Sequence, residues 1–287
     1  MASTDIRADT IQHPDAAPPT RHLPVAGGTI AYDDVGTGPA VIAVPSIGDV
    51  RAEYRFLRPP LRAAGFRVVT MDLRGHGESS VGFADYSSAA IGADILALAR
   101  HLGAGPVAVI GTSKAGGAAV WAAAEAPDLV DRLVLISPFV RAHGNDAVMK
   151  AMMGVLLARP WGAAFWTTYF PKFYPSRQPA DFAAYRAHLK TNLGEAGRTE
   201  ALRAMVKSPG DVTAALRRVA APTLVVMGSR DPDFKAPEEE AAWIAQRVNG
   251  TSLVVEGAGH YPHAELPERV APAIVGFLAA KPGHPGT

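Results

Sequence analysis

Ser113 sits in the run Gly111-Thr112-Ser113-Lys114-Ala115-Gly116, directly after the apolar stretch PVAVI and directly before an alanine-rich helical stretch. The pattern is close to G-x-S-x-G, with Ala115 at the final glycine position. A serine on a sharp strand-to-helix turn is held in a strained backbone conformation with its hydroxyl exposed, ready to attack a carbonyl. Residues two positions away must be small because strand and helix pass close together. The helix N-terminus adds backbone N–H groups and a partial positive charge, which suit a developing oxyanion. The motif alone is weak: from average residue frequencies it arises by chance in roughly one chain in ten of this length. The assignment therefore rests on partners.

A serine nucleophile needs a base, and the base needs an orienting acid. SLVVEG ends in Gly257-Ala258-Gly259-His260, which places His260 just past a strand on a glycine turn. An isolated histidine there would be read as a surface loop residue. His263, three residues on, is the competing base. PTLVVMG ends in Gly228-Ser229-Arg230-Asp231-Pro232-Asp233. Asp231 is the candidate acid; Asp233 is the alternative and also reads as part of an Asp-Pro turn. The other strand end open to an acid, Ser137-Pro138-Phe139, carries no carboxylate.

The elements that must hold these residues are legible as an alternation. GGTIAYDDVG, PAVIAVPS, FRVVTMDL, PVAVIG, DRLVLISP, PTLVVMG and SLVVEG read as strands, with helical stretches between most of them. Buried β runs alternating with helices predict an α/β fold, a mostly parallel central sheet with helices on both faces. Residues 140–216 break the rule: they carry no strong strand, and Trp161, Phe165, Trp166, Tyr169, Phe170, Phe173 and Tyr174 crowd together. These aromatics read first as the segment's own core and second as the lining of a pocket beneath an inserted helical cap. The expected organisation is a leader over 1–20, a core over 21–139 and 217–281, the cap over 140–216, and a tail over 282–287.

With these motifs in view, the chain resembles the α/β-hydrolase superfamily over nearly its whole length after the leader. The order Ser113, Asp231, His260 matches the family's order of nucleophile, acid and histidine. Asp72-Leu73-Arg74-Gly75-His76-Gly77-Glu78-Ser79 resembles the family's D-x-R-G-x-G-x-S stretch, where the resemblance implies a structural turn, so His76 is not the base. Gly257-Ala258-Gly259-His260, with Pro262 and Pro267-Glu268 behind it, resembles the family's histidine loop. Many members carry His-Gly after the third strand; here Pro45-Ser46 stand in that place. The resemblance then implies an oxyanion hole built from the backbone N–H groups of Ile47 and Lys114. The Lys114 side chain is expected to be solvated or to cap its helix. Dehalogenases and epoxide hydrolases of this fold use an aspartate nucleophile, so Ser113 argues against both.

The implied function is a serine hydrolase cleaving a hydrophobic carboxylic ester or lactone through an acyl-enzyme. Trp161, Phe165, Trp166 and Tyr169 are the expected pocket residues. The alternatives are a carbon–carbon bond hydrolase, a perhydrolase or an acyltransferase with the same triad, or a ligand receptor that keeps the fold. Bulk properties agree with a globular enzyme: 287 residues, 48% hydrophobic, 19% charged and a formal net charge of +1. No basic run points to nucleic acid. The chain has no cysteine, which excludes disulfides and thiolate chemistry. No metal and no organic cofactor are expected, since neither a His-Glu-x-x-His helix nor a phosphate-binding G-x-x-x-x-G-K occurs. The first residues lack the apolar core of a secretory signal, and no continuous apolar stretch is long enough to span a membrane. A cytoplasmic monomer or homodimer is the corresponding expectation.

Overall fold

The computed structural model describes residues 18–142 and 146–280. All but the last three residues of the expected leader, and the whole expected tail, lie outside the described residues.

Eight short runs form one sheet: β1 (Arg21–Val25), β2 (Gly28–Val35), β3 (Ala40–Val44), β4 (Arg67–Met71), β5 (Val107–Thr112), β6 (Val130–Ile136), β7 (Thr223–Gly228) and β8 (Thr251–Val255). Their order is β1-β2-β4-β3-β5-β6-β7-β8. The β1–β2 and β2–β4 pairs are antiparallel and every later pair is parallel. β1 was not among the expected strands. It carries Pro24 and sits at the sheet edge, where a missing N–H costs no ladder bond.

A 3-10 helix (Arg51–Phe56) and α1 (Arg58–Ala63) follow β3, α2 (Ser88–Leu102) follows β4, and α3 (Lys114–Glu125) follows β5. Between β6 and β7 the chain passes through α4 (Asp146–Leu156), α5 (Gly162–Tyr169), a second 3-10 helix (Phe170–Phe173), α6 (Phe182–Gly194), α7 (Arg198–Lys207) and α8 (Thr213–Leu216). No strand occurs among its described residues. α9 (Pro237–Arg247), α10 (Pro262–Glu265) and α11 (Pro267–Ala279) complete the chain.

The strand parity explains the layering. Ile42, Val44, Val109, Leu133, Leu135 and Val225 point to one face, where α2, α3 and α9 bury Ile91, Ile95, Ala118 and Ile244 against them. Val41, Ala43, Ile110, Val134, Ile136 and Val226 point to the other, against Leu61 of α1 and Val270, Ile274 and Leu278 of α11. Each such aliphatic side chain contributes about 1.5–3 kcal/mol by leaving water. This two-sided burial is why the strands read as continuous apolar runs.

The helical segment between β6 and β7 has its own aromatic core. Phe170 is fully buried, with its ring 5.9 Å from Phe182 and 5.5 Å from Tyr261 of the loop after β8. Trp166, Phe173, Tyr174 and Tyr185 join it. The segment is therefore packed onto the histidine loop. The strand order reverses around β3 and β5, and open α/β sheets bind ligands in the crevice at the C-terminal strand ends there.

Candidate active site

Ser113 follows the last residue of β5 and precedes the first of α3, with φ 58° and ψ −124°. A left-handed serine is costly, and it persists here because its neighbours hold both sides of it. Its N–H donates to Ile136 O at 2.8 Å, and its carbonyl accepts from Gly116 and Phe139 N–H, each at 3.0 Å. A Cβ at Gly111 would lie 2.5 Å from Ala115 O, so the close passage of strand and helix does require a small residue there. One expectation is corrected. Ser113 is only 2% exposed, and the loop after β6 returns to the elbow, where Phe139 N–H meets Ser113 O.

Asp231 and His260 come from the ends of β7 and β8. Ser229 N–H donates to Val255 O at 3.1 Å and Arg230 N–H to Ala258 O at 2.9 Å, which zips the two loops together. His260 Nδ1 lies 2.8 Å from Asp231 Oδ2, with both side chains buried. Asp233 Oδ2 stands 3.7 Å from the same nitrogen, and Asp233 N–H donates to Asp231 Oδ1 at 3.0 Å. Burial works to lower the His260 pKa, but the Asp231 carboxylate overrides it, and the ring is pushed up to about 9. Asp233 is raised by its own burial, partly offset by His260. Asp231, Asp233 and His260 together bring cation-ligating atoms within 4.8 Å of one another. His260 Nδ1 is already engaged by Asp231 there.

The histidine loop is bolted to the helical segment. His260 N–H donates to Phe173 O at 3.1 Å. The Glu265 carboxylate, 1% exposed, accepts from Gly259 N–H at 2.6 Å on one oxygen and from Ser176 N–H at 2.6 Å on the other. His263 takes another direction: it is buried against Glu53, with Nε2 3.2 Å from Glu53 Oε1. His76 is buried in the turn after β4, where its Nδ1 donates to Arg74 O at 3.1 Å and burial lowers its pKa to about 4. That turn is held by Asp72, which accepts Arg51 and Glu78 N–H at 2.7 and 2.9 Å. A Cβ at Gly77, where φ is +54°, would strike the Asp72 carboxyl at 2.1 Å.

After β3, Ser46 N–H donates to Glu53 Oε2 at 2.7 Å, and Asp49 N–H donates to Ser46 O at 3.3 Å. Ser46 is thereby taken out of contention as oxyanion donor, which leaves Ile47 and Gly48 as candidates. The Lys114 side chain is a correction. It is not solvated; it is buried, with Nζ 3.4 Å from Ser208 O, at the C-terminal end of α7, and 3.3 Å from Pro209 O.

The four expected pocket residues separate. Tyr169 is half-buried, 5.3 Å from the Phe173 ring, and is raised in pKa by burial and by the Asp233 and Asp231 carboxylates. Phe165 stacks on it at 6.4 Å. Trp166 is buried and donates its indole N–H to Gly48 O at 3.0 Å, bracing the loop after β3. Trp161 is corrected: it is 52% exposed and donates to Val155 O within the helical segment, so it belongs to that segment's surface. Two aromatic residues near His260, Phe139 and Phe234, were missed, and Phe173 was named only as part of the aromatic crowd. Phe173 lies 5.1 Å and Phe139 6.1 Å from the His260 ring, and Phe234 stacks on Phe139 at 5.0 Å. Phe139 and Phe234 stand just past the ends of β6 and β7, a placement that could have flagged them.

A buried elbow serine, a histidine–aspartate pair on the neighbouring strand ends and this sheet order define a hydrolase of the α/β-hydrolase fold. The sequence profile of the alpha/beta hydrolase family matches residues 41–273, and the chain belongs to that family. An uncharacterized protein of Mycobacterium tuberculosis is 30% identical, the match covering 92% of this chain and 82% of that one. The (E)-2-((N-methylformamido)methylene)succinate hydrolase of Acinetobacter baylyi is 26% identical over 88% of this chain and 95% of its own. A thermophilic esterase from Thermogutta terrifontis superposes with a TM-score of 0.76 at 26% identity, covering 91% of this chain and 98% of the esterase. Among the described residues no helix is long and apolar enough to cross a membrane.

Proposed function

We propose that the protein hydrolyses a hydrophobic carboxylic ester or lactone through an acyl-enzyme on Ser113. The observation that carries the reading is the buried 2.8 Å pair between His260 and Asp231 past the ends of β8 and β7, in the same sheet whose β5 ends in a left-handed serine. His260 takes the Ser113 proton as the hydroxyl attacks the carbonyl, and Asp231 stabilises the imidazolium. The N–H groups of Ile47 and Lys114 receive the oxyanion. His260 then protonates the leaving alcohol, and a water activated by His260 releases the acid. Residues 140–216 act as the cap over a core of 21–139 and 217–281. The aromatic surroundings, Phe139, Phe173, Phe234 and Tyr169, suit an apolar acyl or alcohol part, and two carboxylates beside His260 disfavour an anionic one. Labelling by a fluorophosphonate and turnover of an ester series of graded chain length test the reading. A protein that neither takes the label nor cleaves any member would overturn it.

Tyr169 and Trp166 should behave differently. Tyr169→Ala is expected to change the ratio of kcat/KM between long and short acyl chains by about tenfold, the scale of a lost pocket contact. Trp166→Ala, which removes the brace on Gly48 O, should lower kcat/KM for all chain lengths alike. Steady-state kinetics on the ester series separate the two patterns.

The pH dependence follows from His260. The base must be neutral, so kcat/KM is expected to climb with pH through about 9, the value at which the ring is held. Stability should run the other way. A histidine raised from 6.5 contributes fully below that pH, and the contribution is lost as pH rises through about 9. Rate profiles and thermal melts across this range check both signs; a kcat/KM already level at pH 6.5 would contradict the assignment.

A further inference from the structure

Glu53, Tyr54 and His263 take no part in the proton relay, yet all three are 1% exposed and connected to the site. Isolated buried carboxylates are expensive and persist only when hydrogen bonds and charge partners surround them. Glu53 uses one oxygen on a single backbone group, Ser46 N–H at 2.7 Å. Its other oxygen lies 3.2 Å from His263 Nε2, at ion-pair distance but off the line a hydrogen bond needs. The His263 ring packs on Tyr54, centroids 5.3 Å apart. Tyr54 Oη donates to Val44 O at 2.7 Å and meets Thr112 Oγ1 at 2.8 Å. Val44 ends β3 and Thr112 ends β5, so this one hydroxyl spans the roots of both loops that would carry oxyanion donors.

The geometry of the peptide unit turns these contacts into a direction. In a planar trans peptide the C=O and the following N–H point opposite ways. Ser46 O is held by Asp49 N–H, so Ile47 N–H, in the same peptide unit, must face the other side. Glu53 grips Ser46 N–H and so fixes the peptide unit immediately before it, from which the Ser46–Ile47 unit is carried. Asp49 is itself fixed: its carboxylate accepts Val50 N–H at 2.8 Å and bonds the Tyr185 hydroxyl.

Resting on the acyl-transfer reading above, we propose that Glu53 and His263 are positioning residues of the oxyanion hole. His263 holds the Glu53 carboxylate, Glu53 holds Ser46 N–H, and the pair keeps Ile47 N–H aimed at the developing oxyanion. The transition state needs this alignment and the ground state does not, so the effect falls on kcat. The test is kinetics of Glu53→Ala, His263→Ala and Glu53→Gln, with binding of a trifluoromethyl ketone that forms a tetrahedral adduct with the serine. The alanine variants should lose about 10- to 100-fold in kcat, less than deletion of a donor because the donor is displaced rather than removed. KM should move less than about threefold, and affinity for the ketone should fall by the same factor as kcat. Glu53→Gln keeps an acceptor for Ser46 N–H and should recover most of the loss. Unchanged kcat in the alanine variants, ketone affinity that does not follow kcat, or a glutamine variant no better than alanine would overturn the inference. If alanine at Glu53 leaves too little folded protein, Glu53→Asp, which withdraws the carboxylate by one methylene, is compared with Glu53→Gln by the same criteria. A wild type that is active while these variants match it overturns this inference alone. A wild type that takes no fluorophosphonate and cleaves no ester overturns the acyl-transfer reading and this inference with it.

Discussion

Ser113→Ala is expected to lose ester hydrolysis by about 10⁴- to 10⁶-fold, leaving only what the oxyanion hole and binding supply. The fold should survive. Alanine inherits the same left-handed backbone, which is held by main-chain bonds to Ile136, Gly116 and Phe139 that do not involve the hydroxyl. His260→Ala should be about as inactive, and the double variant no worse than either single one, because nucleophile and base act as a unit. Single-turnover kinetics and a thermal melt on all three proteins check the result. Turnover near the wild-type level in Ser113→Ala would remove the central claim, and additive losses in the double variant would mean that the two residues serve separate steps.

Asp231→Asn is expected to cost about 10³- to 10⁴-fold in kcat. An amide cannot stabilise the imidazolium and favours the wrong tautomer. Asp233 tempers the loss: its carboxylate is 3.7 Å from His260 Nδ1, against 2.8 Å for Asp231, and it remains in that variant. Asp233→Asn alone should fall by less than about tenfold, and Asp231→Asn with Asp233→Asn should be slower than Asp231→Asn. The rising limb of kcat/KM should also move to lower pH in Asp231→Asn, since the carboxylate is what lifts His260 against the effect of burial. A larger loss from Asp233→Asn than from Asp231→Asn would reverse the assignment of the acid.

The sequence alone determined the parts of this protein that are local. PVAVIG followed by an alanine-rich stretch is a strand, a turn and a helix whatever surrounds it, because the apolar run and the small residues dictate it over a dozen positions. The same holds for the stretches before Asp231 and His260, apolar runs that read as strands, β7 buried throughout and β8 half-exposed at the sheet edge. The family profile matches residues 41–273, in agreement with the fold these runs predict. What the tertiary structure decided depends on enclosure by segments far apart in the chain. Glu53 stands in RAEYR, which as a string looks like a solvated helix face, and nothing local says that α10 will close over it with His263. Trp161 and Trp166 are five residues apart and alike in type, yet one faces solvent and the other braces Gly48. Lys114 reads as a surface lysine until the returning helical segment covers it and offers two carbonyls. Burial is a property of the packed whole, so residue type and spacing can name candidates for a nucleophile and its base. They cannot name the polar residues that hold the surrounding loops in place.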